Sequence, residues 1–194
     1  KNHYEHVIKM TSNKLSFLYG VRRFLSEKVM IVMLNSYVFS ISDYCLDIWA
    51  VQSDLMLASI QAKVDRFIVN FYLPILARKK KRNKNTTCNV KVDISDIMEK
   101  CNFFTVHERR DLFTLKYMYV KFKSGLLDGF YRNFCKNRPT LSLISHNTVL
   151  FTKSLLYRGI ILWNELPKDW DLSTLTLNVF VKKCKDWLIV KRSN

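Results

Sequence analysis

Glycine and proline are scarce in this sequence, and acidic residues are outnumbered by basic ones. Only 4 glycines and 3 prolines occur among 194 residues. This excludes a collagen-like or linker-dominated chain and disfavours a turn-rich β-sandwich, because those structures need the backbone positions that glycine and proline serve. A hydrophobic fraction of 48% excludes a disordered tail. The composition therefore predicts a mainly α protein, with one ordinary domain or two small ones.

Cysteines are present but not clustered. The five are odd in number, lie far apart and include no Cys-x-x-Cys motif; they are Cys45, Cys88, Cys101, Cys135 and Cys184. This usage is typical of a reduced, intracellular compartment. A zinc site would need four ligands, and the nearest Cys/His pair, Cys101 and His107, has no second pair to complete it. We therefore expect no metal and no other cofactor in this chain.

A long uninterrupted apolar run is also missing. The most apolar window, Val29 to Val51, contains Asn35, Asp43 and Asp47, so it predicts a buried helix and not a membrane span. No signal peptide is recognisable, and the sequence begins with lysine instead of methionine. We expect the chain to be excised from a longer protein.

Positive charge dominates the composition, with 32 Lys and Arg against 16 Asp and Glu and a formal net charge of +16. The excess is present in both halves of the chain. A uniformly cationic surface repels itself, which a partner that supplies phosphates would relieve. The charge favours binding to RNA or DNA in the nucleus and cytoplasm, and the alternatives are an anionic membrane surface or a solvated cationic face.

Apolar residues recur three and four positions apart in the first part of the chain, which is typical of helices. A first helix is predicted from His3 to Tyr19, ending at Gly20 as a cap at positive φ. Ser26 is predicted to cap a second helix. The apolar stripe of this second helix is Met30, Met33, Leu34, Tyr37, Val38, Ile41, Tyr44, Cys45, Ile48 and Trp49.

A third helix is predicted to begin at Ser53 or Asp54 and to stop at Pro74. Its apolar face consists of Leu57, Ile60, Val64, Phe67, Ile68 and Phe71. Three amphipathic helices of this length can close a core together. Residues 1–77 are therefore predicted to form a helical bundle.

Residues 78–84 read Arg-Lys-Lys-Lys-Arg-Asn-Lys and contain no acid. Polar residues follow, so we interpret residues 78–92 as a basic linker or exposed loop. Three roles are open for the run: a solvated hinge, a phosphate contact or a nuclear import signal.

Residues 93–194 are predicted to form a second helical module that opens with a short helix near Asp93. Thr105 and Glu108 form a capping box for a longer helix that runs to about Lys123 and stops at Gly125. The buried stripe of this longer helix is Leu112, Leu115, Tyr119 and Phe122, with Arg109, Arg110, Lys116 and Lys123 on other faces.

The rest of the second module combines an extended and a helical pattern. Residues 140–157 are rich in Thr, Leu and Val, which suggests one or two short strands or an extended arm. A final helix is predicted to start after Thr176. Its buried residues are Leu177, Phe180, Cys184, Trp187 and Leu188.

Catalytic motifs are missing from the sequence. It contains no Gly-rich dinucleotide loop, no Gly-Lys-Ser/Thr phosphate loop and no Gly-x-Ser-x-Gly elbow, and its four histidines are scattered. Asp169 and Asp171 could share a metal, but Pro167 and the polar neighbours favour a turn capped by carboxylates. We therefore do not expect this chain to be an enzyme by itself.

Cations interleaved with aromatic residues are the positive signal for nucleic-acid binding. Tyr19, Tyr72, Tyr117 and Tyr131 are predicted to lie near cations. Such a surface would contact a phosphate backbone with little base-specific recognition, and its affinity would fall steeply with salt. The candidate contacts are Lys14, Arg22, Arg23, Lys28, Lys63, Arg66, Arg78, Lys79, Lys80, Lys81, Arg82, Arg109, Arg110 and Lys116.

The carboxy-terminal pattern resembles that of a known family. Tyr157-Arg-Gly, Trp163-Asn-Glu-Leu-Pro167 and the segment Phe180 to Leu188 are similar to the Arg-Gly, Trp-Asn-x-Leu-Pro and Phe-Lys-x-x-Leu pattern that closes many reverse transcriptases of non-LTR (LINE-type, jockey-like) retrotransposons. Upstream, residues 15–49, 61–68 and 107–121 resemble the thumb and following helices of that family. The likeness spans nearly the whole chain.

The resemblance implies a fold and a role. Residues 1–77 would be a thumb-like helical bundle, and the palm carboxylates of the polymerase would lie in an upstream domain of the same polyprotein. Template RNA, an RNA/DNA duplex or DNA would be the partner, gripped by Lys14, Arg22, Arg23, Lys63 and Arg66. The alternative is a free-standing nucleic-acid-binding protein, domesticated from such an element or related to a maturase thumb. In either case we expect Trp163 to pack in a core.

Overall fold

The computed structural model describes residues 2–44, 54–82, 94–101, 103–135, 138–143, 149–152 and 154–193. The protein is mainly α, as the composition predicts. It divides into two compact units, of which the first comprises residues 1–44 and 54–106 and the second residues 45–53 and 107–194. The first unit thus includes the short helix after residue 93, which the sequence pattern assigns to the second module.

Helix α1, Asn2–Val21, opens the first unit. The predicted end at Gly20 is wrong, because the helix passes through this glycine and continues into a 3-10 turn, Arg22–Phe24. Gly20 does not have a positive φ. Leu15 and Leu18 are buried on the inner face of α1. Their packing therefore continues the helix through Gly20, although glycine has a low intrinsic helix propensity.

Helix α2, Glu27–Met33, begins where the sequence predicts, because the Ser26 hydroxyl accepts a hydrogen bond from the Val29 N–H. A π-helical turn, Leu34–Val38, and helix α3, Phe39–Asp43, follow α2 without a break. Met30, Leu34 and Val38 are buried as predicted, but Tyr44 is 72% exposed and does not belong to the apolar stripe. The last three predicted stripe positions, Cys45, Ile48 and Trp49, lie outside the described residues.

Helix α4, Asp54–Arg82, packs against α1. All six apolar residues predicted for its inner face are buried. The predicted stop at Pro74 is wrong, because the proline lies inside the helix. Its ring is exposed, so water can hydrate the carbonyl that the missing N–H leaves free, while Phe71 and Tyr72 anchor the preceding turn in the core.

The continuation of α4 also corrects the expected basic loop, because Arg78, Lys79, Lys80, Lys81 and Arg82 all lie in its last turns. Cations at a helix C-terminus interact favourably with the helix dipole. The rest of the predicted linker, residues 83–92, lies outside the described residues. Helix α5, Ile94–Lys100, completes the first unit.

Helix α6, Val106–Lys123, begins and ends where the sequence predicts. Gly125 has a φ of +72°, and Leu126 N–H bonds back to the Lys121 carbonyl at 3.1 Å. This arrangement is a Schellman cap, which needs a residue that tolerates the left-handed region.

A two-stranded antiparallel hairpin follows, with β1 at Tyr131–Cys135 and β2 at Arg138–Leu141. The strands therefore lie earlier than the predicted 140–157 segment, which overlaps only the end of β2. Residues 149–152 and 155–157 of that segment are helical and belong to α7, Val149–Thr152, and α8, Leu155–Glu165. The Ser154 hydroxyl caps α8 by accepting from the Tyr157 N–H at 3.2 Å, a local signal that outweighs partial alternation.

Helix α9, Leu177–Ser193, ends the second unit as predicted. Phe180 and Cys184 of α9 face the core with Tyr119 of α6 and Trp163 of α8, and Leu188 of α9 is also buried. The rings of Tyr119 and Phe180 stack with centroids 4.1 Å apart. Trp163 is fully buried, which confirms the expected packing role.

Candidate nucleic-acid interface

A cleft of about 420 Å³ lies between α1 and α4 in the first unit. Leu15 and Phe67 are its apolar lining. Its polar residues are Ser12, Ser16 and Tyr19 from α1 and Lys63, Arg66 and Asn70 from α4. A volume of this size is within the usual range for ligand pockets, roughly 300 to 1,000 Å³.

Helical periodicity explains why these residues meet. The lining positions on each helix are mostly three or four residues apart, so they form one face. On α4 this face lies beside the buried stripe that includes Val64 and Ile68. Burial of that stripe against α1 aligns the two polar faces along the same cleft. The packing therefore brings Lys63 and Arg66, two predicted contacts, to the same cleft as Tyr19.

No acidic residue lines the cleft among the side chains that the structure describes. Arg66 is exposed and Lys63 is partly exposed, and neither forms an ion pair with a described carboxylate. A cation in this setting keeps its full charge available for an anionic ligand. Lys63 and Arg66 therefore supply the positive charge of the candidate site.

Asp65 lies between these two cations in the sequence, but its carboxylate is engaged elsewhere. It accepts a hydrogen bond from the Gln61 side-chain nitrogen at 2.6 Å, and the side-chain oxygen of Gln61 accepts from the Val106 N–H at 2.8 Å. Burial raises the pKa of Asp65, and the hydrogen bond from Gln61 partly opposes that rise. The Asp65 carboxylate is thus held by Gln61, the side chain of which is itself held by the Val106 N–H.

Arg22 lies over the ring of Tyr19, with its guanidinium carbon 3.8 Å from the ring centroid. The guanidinium also donates to the Tyr19 carbonyl at 2.5 Å. The two contacts hold a planar cation against an aromatic ring that lines the cleft. Tyr19 remains 40% exposed, so the pair is accessible to a ligand.

Lys14 forms a second cation-aromatic pair on α1, away from the residues that line the cleft. Its ammonium lies 4.3 Å from the centroid of the Tyr37 ring. Phe17, 54% exposed, meets Tyr37 edge to face at 5.8 Å. Of the other predicted contacts of the first unit, Arg23 and Lys28 are exposed but do not line the cleft. The side chains of residues 78–82 are not among those that the structure describes.

The predicted contacts of the second unit are placed differently. Arg110 is only 4% exposed, so the expectation that it stands on a solvent face is wrong. Its Nε lies 3.6 Å from Asp111, which also accepts two hydrogen bonds from Arg158 at 2.6 and 2.9 Å. Lys116 is exposed, whereas Arg109 is partly buried and engaged in further contacts.

Further cations of the second unit are also paired. Arg192 binds both oxygens of Glu108, at 2.7 and 2.5 Å. The Glu108 carboxylate, which the sequence predicts to cap α6, therefore binds the end of α9. Lys191 binds Glu165 at 2.5 Å, and Lys123 donates to the Ser173 carbonyl. The Arg192–Glu108 pair is the more buried one, whereas the Lys191–Glu165 pair is about half exposed and contributes little to stability. Cations that already have a partner are less available for an external phosphate.

The Trp163-Asn164 pair clamps the hairpin, a role that the sequence pattern does not reveal. Trp163 Nε1 donates to the Pro139 carbonyl at 3.0 Å. The side chain of Asn164 accepts from the Leu141 N–H at 3.0 Å and donates to the Leu141 carbonyl at 2.9 Å. The amide therefore satisfies both backbone groups at the end of β2, as a neighbouring strand would.

A carboxylate caps the turn before α9. Asp171 accepts from the Ser173 N–H at 3.1 Å, which confirms the favoured carboxylate-capped turn. Hydrogen bonding to Ser173 lowers the pKa of Asp171.

Tyr72 is predicted to lie near cations, but it is buried. Its hydroxyl donates to Glu27 at 2.7 Å and lies 3.2 Å from the Cys101 sulfur. Burial is the main reason that the pKa of the Tyr72 hydroxyl is raised.

Metal-ligating side chains do not converge in the described part of the chain. It contains no group of three or more His, Cys, Asp or Glu side chains arranged to hold a metal ion. Within the same residues, no helix combines the length and apolarity that a membrane crossing requires.

Comparison with known protein families, curated proteins and solved structures gave no match to this chain.

Proposed function

We propose that this chain binds RNA, or an RNA/DNA duplex, along its sugar-phosphate backbone through the cleft between α1 and α4. The observation that carries the proposal is the placement of Lys63 and Arg66 on one wall of a cleft that no described acid lines. Phosphate groups complement such a wall, and the net charge of +16 favours approach of any polyanion.

The resemblance noted in the sequence extends this proposal to a parent protein. The chain would be the non-catalytic thumb and carboxy-terminal part of a non-LTR retrotransposon reverse transcriptase, with the polymerase carboxylates in an upstream palm domain. The alternative remains a free-standing domesticated or maturase-related protein. Reading the transcript upstream of the Lys1 codon distinguishes them, because only the first requires a palm domain there.

Binding of the full chain to RNA, measured by filter binding over a salt series, tests the interface. The double substitution Lys63→Glu/Arg66→Glu should weaken binding at least tenfold. It should also reduce the salt slope by about 0.7 to 0.9 for each phosphate that the variant no longer neutralises. The matched control is Lys182→Glu/Lys185→Glu, which has the same spacing and charge change on α9.

The control separates a local interface from general attraction. If both double variants lose affinity and slope equally, the cleft is not the binding site. Binding to anionic phospholipid vesicles, measured with and without excess RNA, tests the membrane alternative. If the chain stays on the vesicles in excess RNA, its partner is a lipid surface and not a nucleic acid. We expect RNA to displace the vesicles.

A further inference from the structure

The Arg22–Tyr19 pair is a stacked cation and ring beside the cleft. A purely electrostatic grip on phosphates requires exposed cations, but it does not require a guanidinium held flat against an aromatic ring. The distance of 3.8 Å and the bond to the Tyr19 carbonyl hold this cation over the ring. Both components are flat surfaces on which an unpaired base can stack.

The tyrosine of the pair and the two cations share one cleft. Tyr19 lines the same cleft as Lys63 and Arg66, so one nucleotide could place its phosphate near these cations and its base near the ring. The bases of a duplex are already stacked on each other and paired, and their faces are not available to a protein ring. A stacking surface therefore recognises unpaired nucleotides.

We propose that the cleft binds single-stranded nucleic acid, with one unpaired base stacked on the Tyr19–Arg22 pair and its phosphate held by Lys63 and Arg66. This inference rests on the proposed function. It restricts the nucleic acid that the cleft binds to a single strand and disfavours a duplex. Within the proposed polymerase, the cleft would hold unpaired template RNA.

The first test compares a short unstructured oligouridylate with an RNA/DNA duplex of the same length, using the full chain at one salt concentration. The oligouridylate should bind more tightly. Tyr19→Leu should weaken binding of the single strand by roughly 5- to 100-fold, the range for loss of one base-aromatic stack, and should weaken duplex binding by a smaller factor. Tyr19→Phe keeps the ring and should retain wild-type affinity.

The control is Tyr117→Leu. Tyr117 is a similarly exposed tyrosine on α6 with Lys121 5.3 Å from its ring centroid, so it repeats the chemistry outside the cleft. Equal losses for Tyr19→Leu and Tyr117→Leu would overturn the inference. Duplex binding as tight as single-strand binding in the unsubstituted chain would also overturn it.

Arg22→Lys and Arg23→Lys provide a second comparison in case Tyr19→Leu fails to fold. Both keep the charge, but only the first removes a planar cation from the ring. Arg22→Lys should weaken single-strand binding, and Arg23→Lys should not; equal behaviour would contradict the stacking role. If neither the oligouridylate nor the duplex binds to the unsubstituted chain, the proposed function itself fails. If both bind equally well, only the inference about single strands fails.

Discussion

The two units of this protein use their cations in opposite ways. In the first unit, no described lysine or arginine forms an ion pair with a described carboxylate, and Lys63 and Arg66 face a cleft. In the second unit, Asp111, Glu108 and Glu165 each bind a cation from another helix. The same excess of basic residues therefore supplies a free surface in one unit and internal links in the other.

The difference shows that net charge alone does not locate a binding surface. Basic residues on predicted helices, such as Lys14 and Arg110, look equivalent in the sequence, but one stacks on an aromatic ring and the other is buried. The available carboxylates decide which cations remain free. Substitutions that remove a charge should therefore affect stability in the second unit and binding in the first.

The largest expected effect on stability is that of Asp111→Ala. It removes the carboxylate partner of Arg158 and an acid 3.6 Å from the buried Arg110. The free energy of unfolding should fall by about 3 kcal/mol, because a buried charge loses its counter-charge. Urea unfolding followed by circular dichroism measures this change.

Lys63→Ala is the control for that prediction. Because Lys63 has no described carboxylate partner, its loss should change stability by about 0.5 kcal/mol or less. If Lys63→Ala costs as much as Asp111→Ala, the contrast between the two units does not hold.

Gly159→Ala should have the next largest effect. A Cβ at this position of α8 would lie 2.6 Å from the sulfur and 2.7 Å from Cγ of Met118, so the buried Met118 would have to move. We expect a loss of about 1 to 3 kcal/mol from overpacking. Thermal unfolding monitors the change.

Gly20→Ala is the matched substitution in the first unit. No atom lies within 4 Å of the Cβ that it would add, and the position is helical, so it should stabilise the protein by about 0.5 to 1 kcal/mol. If both alanine variants are less stable than the unsubstituted protein, both positions need the backbone freedom of glycine, and contact of the new Cβ with Met118 is not the cause of the loss at Gly159.

The smallest expected effect concerns Asp65. Burial raises its folded-state pKa above the ordinary value of 3.8, so the folded protein binds its proton more tightly than the unfolded chain does. The associated stability is fully present below pH 3.8 and is lost as the pH rises through the raised pKa. Asp65→Asn removes this dependence, since the amide does not titrate in that range.

The stability of Asp65→Asn relative to the unsubstituted chain should therefore increase as the pH rises from 3.8 and then become constant. Urea unfolding at a series of pH values measures the difference. A difference that is the same at every pH would contradict a raised pKa at this position.

Local signals in the sequence predict much of the fold. The hydroxyl of Ser26 and the flexibility of Gly125 act within one turn of their own position, so the helix boundaries that they set are confirmed. Pro74 and Gly20 are the exceptions, because packing of the surrounding helix outweighs a local preference to stop. The predicted position of the hairpin is wrong because Trp163 and Asn164, which hold it, are distant in the sequence.

The candidate site is less accessible to sequence reasoning. Lys63 and Arg66 are identified by charge and spacing, but Ser12, Ser16 and Asn70 carry no distinctive signal until α1 and α4 pack together. The burial of Arg110 could not be predicted either, because charge and spacing along one helix do not show which of its faces the rest of the fold covers.

The sequence by itself determined the mainly α character, the inner faces of the helices and the large positive charge. These properties depend on residue type and on spacing along one helix, which are both local. Only the tertiary structure decided which cations are free, because each pairing depends on side chains brought together from distant parts of the chain. Packing of α1 against α4 leaves Lys63 and Arg66 without a described acid, whereas packing of α6 with α8 and α9 supplies one to Arg158 and Arg192.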